Sequence, residues 1–340
     1  MPLSISSFKP GQSWVYAWLL SLVLVAASLG GWEYSLRERD YLPSVDDSHE
    51  LWSWYRAQVG GERSIVLLGT SRMLLDIDMA TLRERYYSWR VLQLSINGQY
   101  PVLALEDLAR DESFQGIAII SLNAQALEPY YRDMQREYVN YYHQHSSLNN
   151  RFNKRLGAGL QENLVSLHPL LRLQALLDFK ALNGHLPAPF YVRTLADRSF
   201  VGDYQRVNRD QLRHHFVNGK ADNYRENPPT PAVDLLEQSK DIAEWIEKIQ
   251  YRGGQVVLLR LPTVDEHWEL DEQFYPRSHY WDPFAAGTSA LALHFRDVPG
   301  VGRFDFPDTS HLDYRDSPAF TTLLFDHMEE RWPDLFRTRD

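Results

Sequence analysis

Two short motifs hold residue types that could carry out nucleophilic catalysis. Gly69-Thr70-Ser71-Arg72 offers a serine hydroxyl, and Asp308-Thr309-Ser310-His311 offers an imidazole with a carboxylate three residues before it. A serine attacks a carbonyl readily only when a base takes its proton. A histidine does this best when an acceptor fixes its Nδ1–H and leaves Nε2 free. Asp308 and His311 on one turn can supply that pair, so the chemistry to expect is acyl transfer through Ser71. Both patterns recur elsewhere, as Gly11-Gln12-Ser13, as Gly287-Thr288-Ser289 and as an Asp-x-x-His from Asp46 to His49. None of these follows an apolar strand. The plain alternative for Ser71 is a turn serine that caps the next helix.

The elements that must position these groups are readable from apolar runs and turn residues. Ser64-Ile65-Val66-Leu67-Leu68 is almost wholly apolar, too short for a helix and preceded by Gly60-Gly61, so it reads as a buried strand. Gly69 is expected to supply the sharp turn that follows, and residues 73–87 read as a helix. Strand, turn and helix in this order place a nucleophile beside a helix N-terminus, which favours negative charge. A helix is expected over 48–59. Further strands are expected at 90–95, ending in the turn Ile96-Asn97-Gly98-Gln99-Tyr100-Pro101, and at 116–122, ending at Asn123. Helices are expected at 101–110 and at 232–252, the latter closed by Gly253-Gly254. A fourth strand at 255–261 is stopped by Pro262, and a helix at 285–295 precedes a fifth strand at 302–306. That last strand would deliver Asp308 and His311 to the edge that holds Ser71, before a final helix at 317–331. Strands alternating with helices predict an α/β fold, a parallel sheet covered on both faces.

Residues 124–232 interrupt this rhythm. They are rich in Tyr, Asn, His and Arg, with helical stretches within 150–182 and a polar stretch over 203–231. They close on Asn227-Pro228-Pro229-Thr230-Pro231, which suits neither helix nor central strand. The segment reads as a helical insertion over the C-terminal edge of the sheet, where a lid or substrate platform would sit, or as an appendage without substrate contact. The aromatic run around Tyr280 and Trp281 could line a sugar groove or be a packed loop.

The net charge of −10 argues against a general nucleic-acid binder. The chain has no cysteine, which removes disulfides, thiolate metal sites and a cysteine nucleophile. His143, His145, His214 and His215 lack carboxylates at ligand spacing, and there is neither a GxGxxG nor a P-loop, so no metal and no cofactor is expected.

Residues 14–32, WVYAWLLSLVLVAASLGGW, run without a charge and are long enough to cross a bilayer, with aromatic residues suited to the headgroup level. Lys9 precedes the run, while Glu33, Arg37, Glu38, Arg39 and Asp40 follow it and nearly cancel. The expectation is a retained anchor with its N-terminus inside. A cleaved signal peptide is the rival, given the small Ala26, Ala27 and Ser28. The organisation expected is therefore an N-terminal stub and transmembrane anchor at 1–40 and one domain at 41–340, with the insertion at 124–232.

From 62 to 330, excluding the insertion, the chain resembles the SGNH (GDSL-like) hydrolase superfamily. Gly69-Thr70-Ser71-Arg72 matches its nucleophile block, with Thr where many members have Asp. Asn97-Gly98-Gln99 matches the block whose glycine amide joins the oxyanion hole. Ser121-Leu122-Asn123-Ala124 matches the Gly-x-Asn-Asp block, with Ser and Ala at its first and last positions. Asp308 and His311 match the closing Asp-x-x-His. The resemblance implies a three-layer α/β/α fold with a five-stranded parallel sheet in flavodoxin-like order. It also implies Ser71 as nucleophile, His311 as base and Asp308 as its orienter. The oxyanion would be held by the Ser71 and Gly98 amides with the Asn123 side chain, Asn97 being the alternative donor. Arg72, Asn97, Tyr280 and Trp281 are candidate substrate contacts.

A membrane-tethered protein of this kind is similar to the extracytoplasmic proteins that add or remove acetyl groups on bacterial polysaccharides. The expected function is thus an ester hydrolase or O-acyltransferase on a cell-envelope glycan. It would be held at the inner membrane with its domain in the periplasm, and its partners would be an acylated glycan or acyl donor and a membrane-bound O-acyltransferase. The alternative is a catalytically weak glycan-binding or assembly subunit.

Overall fold

The structure is a computed structural model, and the residues it describes are 10–337. Residues 1–9, which include Lys9 and the expected stub, and residues 338–340 lie outside the described residues. The helices in chain order are α1 (Pro10–Arg37), α2 (His49–Arg56), α3 (Ser71–Leu75), α4 (Met79–Arg85), α5 (Val102–Arg110), α6 (Arg136–Gln144) and α7 (Leu148–Gln161). They continue with α8 (Leu173–Asn183), α9 (Arg209–Glu226), α10 (Ala232–Gln238), α11 (Lys240–Tyr251), α12 (Asp265–Phe274), α13 (Trp281–Ala286) and α14 (Ser317–Arg331).

Five strands make one parallel sheet: β1 (Ser64–Leu68), β2 (Arg90–Gln93), β3 (Ile117–Ser121), β6 (Gln255–Arg260) and β7 (Leu291–His294), in the order β2-β1-β3-β6-β7. This is the flavodoxin-like order, whose strand order reverses at β1/β3, and a crevice for ligands opens there beyond the carboxyl ends. β1 and β3 are buried along their whole length, as strands covered on both faces must be. A separate antiparallel hairpin pairs β4 (Val192–Thr194) with β5 (Phe200–Gly202).

Four expected elements change. The fifth strand is 291–294, inside the stretch expected to be a helix, while 301–303 is a single 3-10 turn. The Ala and Leu residues there favour helix in isolation. However, α13 ends at Gly287, and Val257 to Arg260 of β6 offer an unpaired edge that takes Leu291 to His294 in register. Asp308 is therefore carried not by a strand end but by a loop after two 3-10 turns. The helix expected over 73–87 is two helices broken at Asp76-Ile77-Asp78, because the Asp78 carboxylate caps α4 by accepting from the Thr81 amide at 2.7 Å. The helix expected over 232–252 is likewise two, α10 and α11, with Ser239 between them. The polar stretch of 203–231 contains the eighteen-residue α9, whose few apolar residues gave no periodic signal.

The chain forms two compact units. The larger comprises Asp47–Gly159 and Tyr191–Asp340 and holds the sheet. The smaller comprises the chain up to Asp46 together with Leu160–Phe190. In the smaller unit, the C-terminal end of α1 is built into a small core: Leu36 and Tyr41 pack with Val165, Leu171 and Leu176, flanked by Trp32, Leu186 and Phe190. The Glu33 carboxylate accepts from the Val165 and Ser166 amides at 2.9 and 3.0 Å, which satisfies two donors of a 3-10 turn. Between Trp14 and Arg37, α1 contains an 18-residue stretch with a mean hydropathy of 1.8, and it is long and apolar enough to cross a membrane. In the same unit Leu170, Leu173, Leu177 and Leu182 are exposed.

Candidate active site

β1 ends at Leu68, and the chain turns through Gly69 and Thr70 into α3, so Ser71 stands at the first position of that helix. The reason for glycine at 69 is close packing rather than an unusual backbone angle. A Cβ there would lie 2.7 Å from Met73 Cβ and 3.1 Å from Ser121 Cβ. Gly98 differs: its φ of +70° is the left-handed conformation that favours glycine. Its turn closes through Gln99 N–H to Ile96 O at 3.1 Å, and Ile96 N–H donates to Gly69 O at 3.1 Å. The Gly98 turn is thereby tied to the turn that holds Ser71.

The second motif reaches Ser71 across the sheet edge. His311 Nε2 lies 2.7 Å from Ser71 Oγ, and His311 Nδ1 lies 2.8 Å from Asp308 Oδ2. Asp308 is fully buried and His311 nearly so. Burial alone would raise the Asp308 pKa. The His311 charge, hydrogen bonds from His311 and Tyr204, and the Ser310 amide outweigh it and hold that pKa at about 2. Oδ1 accepts from the Ser310 and His311 amides at 3.0 and 2.8 Å, and Oδ2 also accepts from Tyr204 Oη at 2.8 Å. An ionised carboxylate can only accept, so the His311 Nδ1 carries the hydrogen and Nε2 is left to accept from the Ser71 hydroxyl.

The loop between the two is wound tightly. Thr309 has a φ of +70°, unusual for a β-branched residue, and is held by its amide to Phe306 O at 2.9 Å and by its carbonyl from Val264 N at 3.0 Å. Asp76, at the break after α3, accepts from the Leu312 amide at 2.8 Å, which secures the far side of His311. Burial pushes the Asp76 carboxyl up to about 7 even though His311, the Leu312 amide and Arg72 pull it down.

Ser71 opens into a pocket of about 460 Å³ lined by Thr70, Arg72, Gly98, Tyr100, His267 and His311 from the sheet side. Its other wall is the segment that interrupts the sheet: Gln125, Tyr131 and Met134, then His215, Phe216, Gly219, Lys220 and Asn223 on one side of α9. Phe216 packs edge-on against the His311 ring with centroids 5.5 Å apart. The interrupting segment therefore forms part of the pocket and is not a remote appendage.

The remaining expected residues are placed as follows. Arg72 lines the pocket and donates through Nε to Ser310 Oγ at 2.9 Å. Asn97 is exposed beside Gly98. Asn123 is buried and uses its side-chain oxygen to cap the turn after β3, accepting from Ala126 N at 3.2 Å. It lines an adjoining cleft with Arg260 and Asp271, and its side chain also hydrogen-bonds Tyr100, which lines the Ser71 pocket. Tyr280 and Trp281 are nearly buried, Tyr280 donating to Thr230 O at 3.0 Å and Trp281 facing His294, and neither is brought to Ser71. Among the described residues there is no group of three or more metal-ligating side chains. Tyr204, Asp76, Phe216 and Lys220 were not anticipated. Tyr204, Phe216 and Lys220 lie in segments without periodicity or motif and Asp76 within an expected helix, and only the tertiary fold brings each to the site.

No family model and no curated protein matches the chain. Among solved structures, it is similar to one described as the crystal structure of TesA, at 13% identity and a TM-score of 0.36 over 78% of this chain and 98% of that one. It is also similar to a psychrotrophic esterase EstA from Pseudoalteromonas sp., in a structure inhibited by monoethylphosphonate. That likeness has 11% identity and a TM-score of 0.37 over 80% of this chain and 100% of that one.

Proposed function

We propose that this protein is a serine-dependent ester hydrolase or O-acyltransferase of the SGNH type, with Ser71 as nucleophile, His311 as general base and Asp308 as its orienting carboxylate. The observation that carries this reading is the continuous relay from Ser71 Oγ through His311 to a buried, ionised Asp308, with steps of 2.7 and 2.8 Å. His311 Nε2 takes the Ser71 proton as Oγ bonds to the ester carbonyl carbon. The oxyanion forms near the Ser71 and Gly98 amides. The same proton passes from His311 to the departing alcohol oxygen as the ester C–O bond breaks, leaving an acyl-serine. Water or a sugar hydroxyl, deprotonated by His311, then takes the acyl group and returns Ser71. An oxyanion donor contributes roughly two to three decades of rate where it is present. The Asn123 side-chain oxygen caps its turn, which leaves its NH2 as a third donor candidate beside the two backbone amides we assign.

The substrate proposed is an acyl group, acetyl in the first instance, on a cell-envelope glycan, with a membrane-bound O-acyltransferase as partner. α1 is the proposed inner-membrane anchor and the sheet domain is extracytoplasmic. The exposed Leu170, Leu173, Leu177 and Leu182, in the unit that also contains α1, support a seat at the bilayer surface.

The test is covalent. A fluorophosphonate probe should label the wild-type chain and not Ser71→Ala, and acetylated model esters should be hydrolysed only by the former. Acetyl transfer to added oligosaccharide in place of water would assign the transferase direction. Absence of labelling in a folded wild-type protein would refute the catalytic reading and leave the binding-subunit alternative.

A further inference from the structure

The chain carries ten more acidic than basic side chains, yet the wall of the Ser71 pocket contains two cations, Arg72 and Lys220, and no Asp or Glu. Neither cation is used up by a partner of opposite charge. Arg72 donates to a hydroxyl, Ser310 Oγ. Lys220, whose side chain is 13% exposed, donates to the Gln125 side-chain oxygen and stands 4.0 Å from Asp271 Oδ1. That carboxylate is already committed. Arg260 pairs with its Oδ2 at 2.6 Å, and Thr263 and Tyr224 donate to it at 2.8 and 2.5 Å. Arg260 and Lys220 thus draw on one buried carboxylate, and Arg72, on the pocket side, has no carboxylate within ion-pair distance among the described residues.

Burial, with the neighbouring Arg72 and Arg260, lowers the Lys220 pKa to about 8 in spite of Asp271. An anion entering the pocket would relieve that repulsion. His267 lines the same pocket and is nearly buried, and its Nε2 has no partner among the described residues. The Gln125, Asn223, Tyr131 and Tyr100 polar groups bond to one another along the wall and form an uncharged, hydroxyl- and amide-rich surface beside the cations.

We propose that the Ser71 pocket selects a substrate bearing a carboxylate, which Arg72 and Lys220 hold within reach of the nucleophile. This rests on the ester-cleaving reading of Ser71 and narrows it. The carboxylate could belong to the acyl group or to the alcohol, such as the uronic acid of an acidic glycan, and the test has an arm for each. Two cations at one wall make a carboxylate the favoured occupant over a neutral isostere, because it would give both an ionised acceptor beyond the neutral Ser310 and Gln125 oxygens to which they now donate.

The experiment uses the full chain in detergent. For the acyl arm, kcat/KM is compared for 4-nitrophenyl hemisuccinate and 4-nitrophenyl butyrate. For the alcohol arm, it is compared, as acetate release, for O-acetylated methyl glucuronoside and the methyl ester of its uronic acid. In one arm the charged member should be preferred roughly 10- to 100-fold, the contribution of a charge-assisted hydrogen bond. Lys220→Gln should reduce that preference by about the same factor, and Lys220→Arg should restore most of it. Equal rates for charged and neutral members in both arms would overturn the proposal. So would a Lys220→Gln loss that falls equally on both members of a pair, since that marks a structural lysine. Should no ester be cleaved and no probe bind Ser71, the ester reading fails by itself. Calorimetry with D-glucuronate and D-glucose then decides the anion site: selective glucuronate binding that Lys220→Gln weakens upholds it, and binding of neither sugar overturns it.

Discussion

Tyr204 Oη donates to Asp308 Oδ2 at 2.8 Å, the same oxygen that accepts from His311 Nδ1. Tyr204 is nearly buried, and burial together with the adjacent Asp308 charge pushes its hydroxyl far above the ordinary tyrosine range, so it remains a donor at any working pH. It acts through Asp308 and positions the histidine. Tyr204→Phe should leave KM for a small ester near its wild-type value and lower kcat about tenfold, since a hydrogen bond to a charged group contributes about 1.5–3 kcal/mol. Fluorophosphonate labelling should slow by a similar factor. A change in KM alone would show that Tyr204 does not serve the relay.

Asp76 predicts a pH dependence of stability. Its carboxyl titrates at about 7 in the folded chain against an ordinary 3.8. Between these values the native state keeps a proton that the unfolded state has lost. This group therefore adds stability that is fully present below about pH 4 and is lost as pH rises to about 7. Asp76→Asn removes the titration while keeping an oxygen for the Leu312 amide. Relative to wild type, its melting temperature should rise from pH 5 to pH 8, with a difference bounded by about 1.4 kcal/mol per unit of pKa shift. Parallel melting curves across that range would contradict the assignment.

The two site glycines should fail differently. A Cβ at Gly69 meets Met73 and Ser121 at contact distances too short to survive, whereas at Gly98 it meets nothing within 4 Å and only the φ of +70° opposes it. Gly69→Ala should destabilise the fold by a few kcal/mol, in the range of overpacking. Gly98→Ala should cost about 1–2 kcal/mol of backbone strain and be felt mainly in kcat. Chemical denaturation and steady-state rates on both variants separate the two effects. Equal losses of stability would show that space at Gly69 is not limiting.

The chain lacks cysteine, so a single Leu177→Cys places an environment-sensitive fluorophore on α8 without background. In lipid nanodiscs the label should emit in the blue and be quenched by spin-labelled lipid rather than by iodide. Iodide quenching with water-like emission would place α8 in solvent and remove the support it lends to a membrane seat.

How far the sequence went follows from what each element depends on. β1, β3 and β6 are buried on both faces, so their uninterrupted apolar runs could hardly be anything else. The hydrogen-bonded arrangement of Ser71, His311 and Asp308 was legible because the residue types such a relay needs are fixed and their spacings short. β7 was not, since Leu291-Ala292-Leu293-His294 becomes a strand only through the open edge of β6. The capping bond of Asn123 was hidden for a related reason: that its side-chain oxygen takes the Ala126 amide is decided by the path of the chain after β3. Lys220 sits on a helix too polar to show a face, and its charge acquires meaning only beside Arg72.

The way Glu33 and Leu36 are built into the smaller unit makes α1 a strut. A tether can be lengthened or replaced by any apolar helix without consequence to what it holds, but a strut transmits its tilt and cannot be swapped freely. With α1 seated in a bilayer as proposed, shedding and loss of structure would be separable events. A cut near Ala26–Ser28, in the middle of α1, would release the chain and leave Leu36 and Glu33 in place. Trimming to residue 41 would withdraw Leu36 from Val165, Leu171 and Leu176 and leave the Val165 and Ser166 amides without an acceptor. In this protein, the last turns of the apolar helix belong to the packed architecture of the smaller unit.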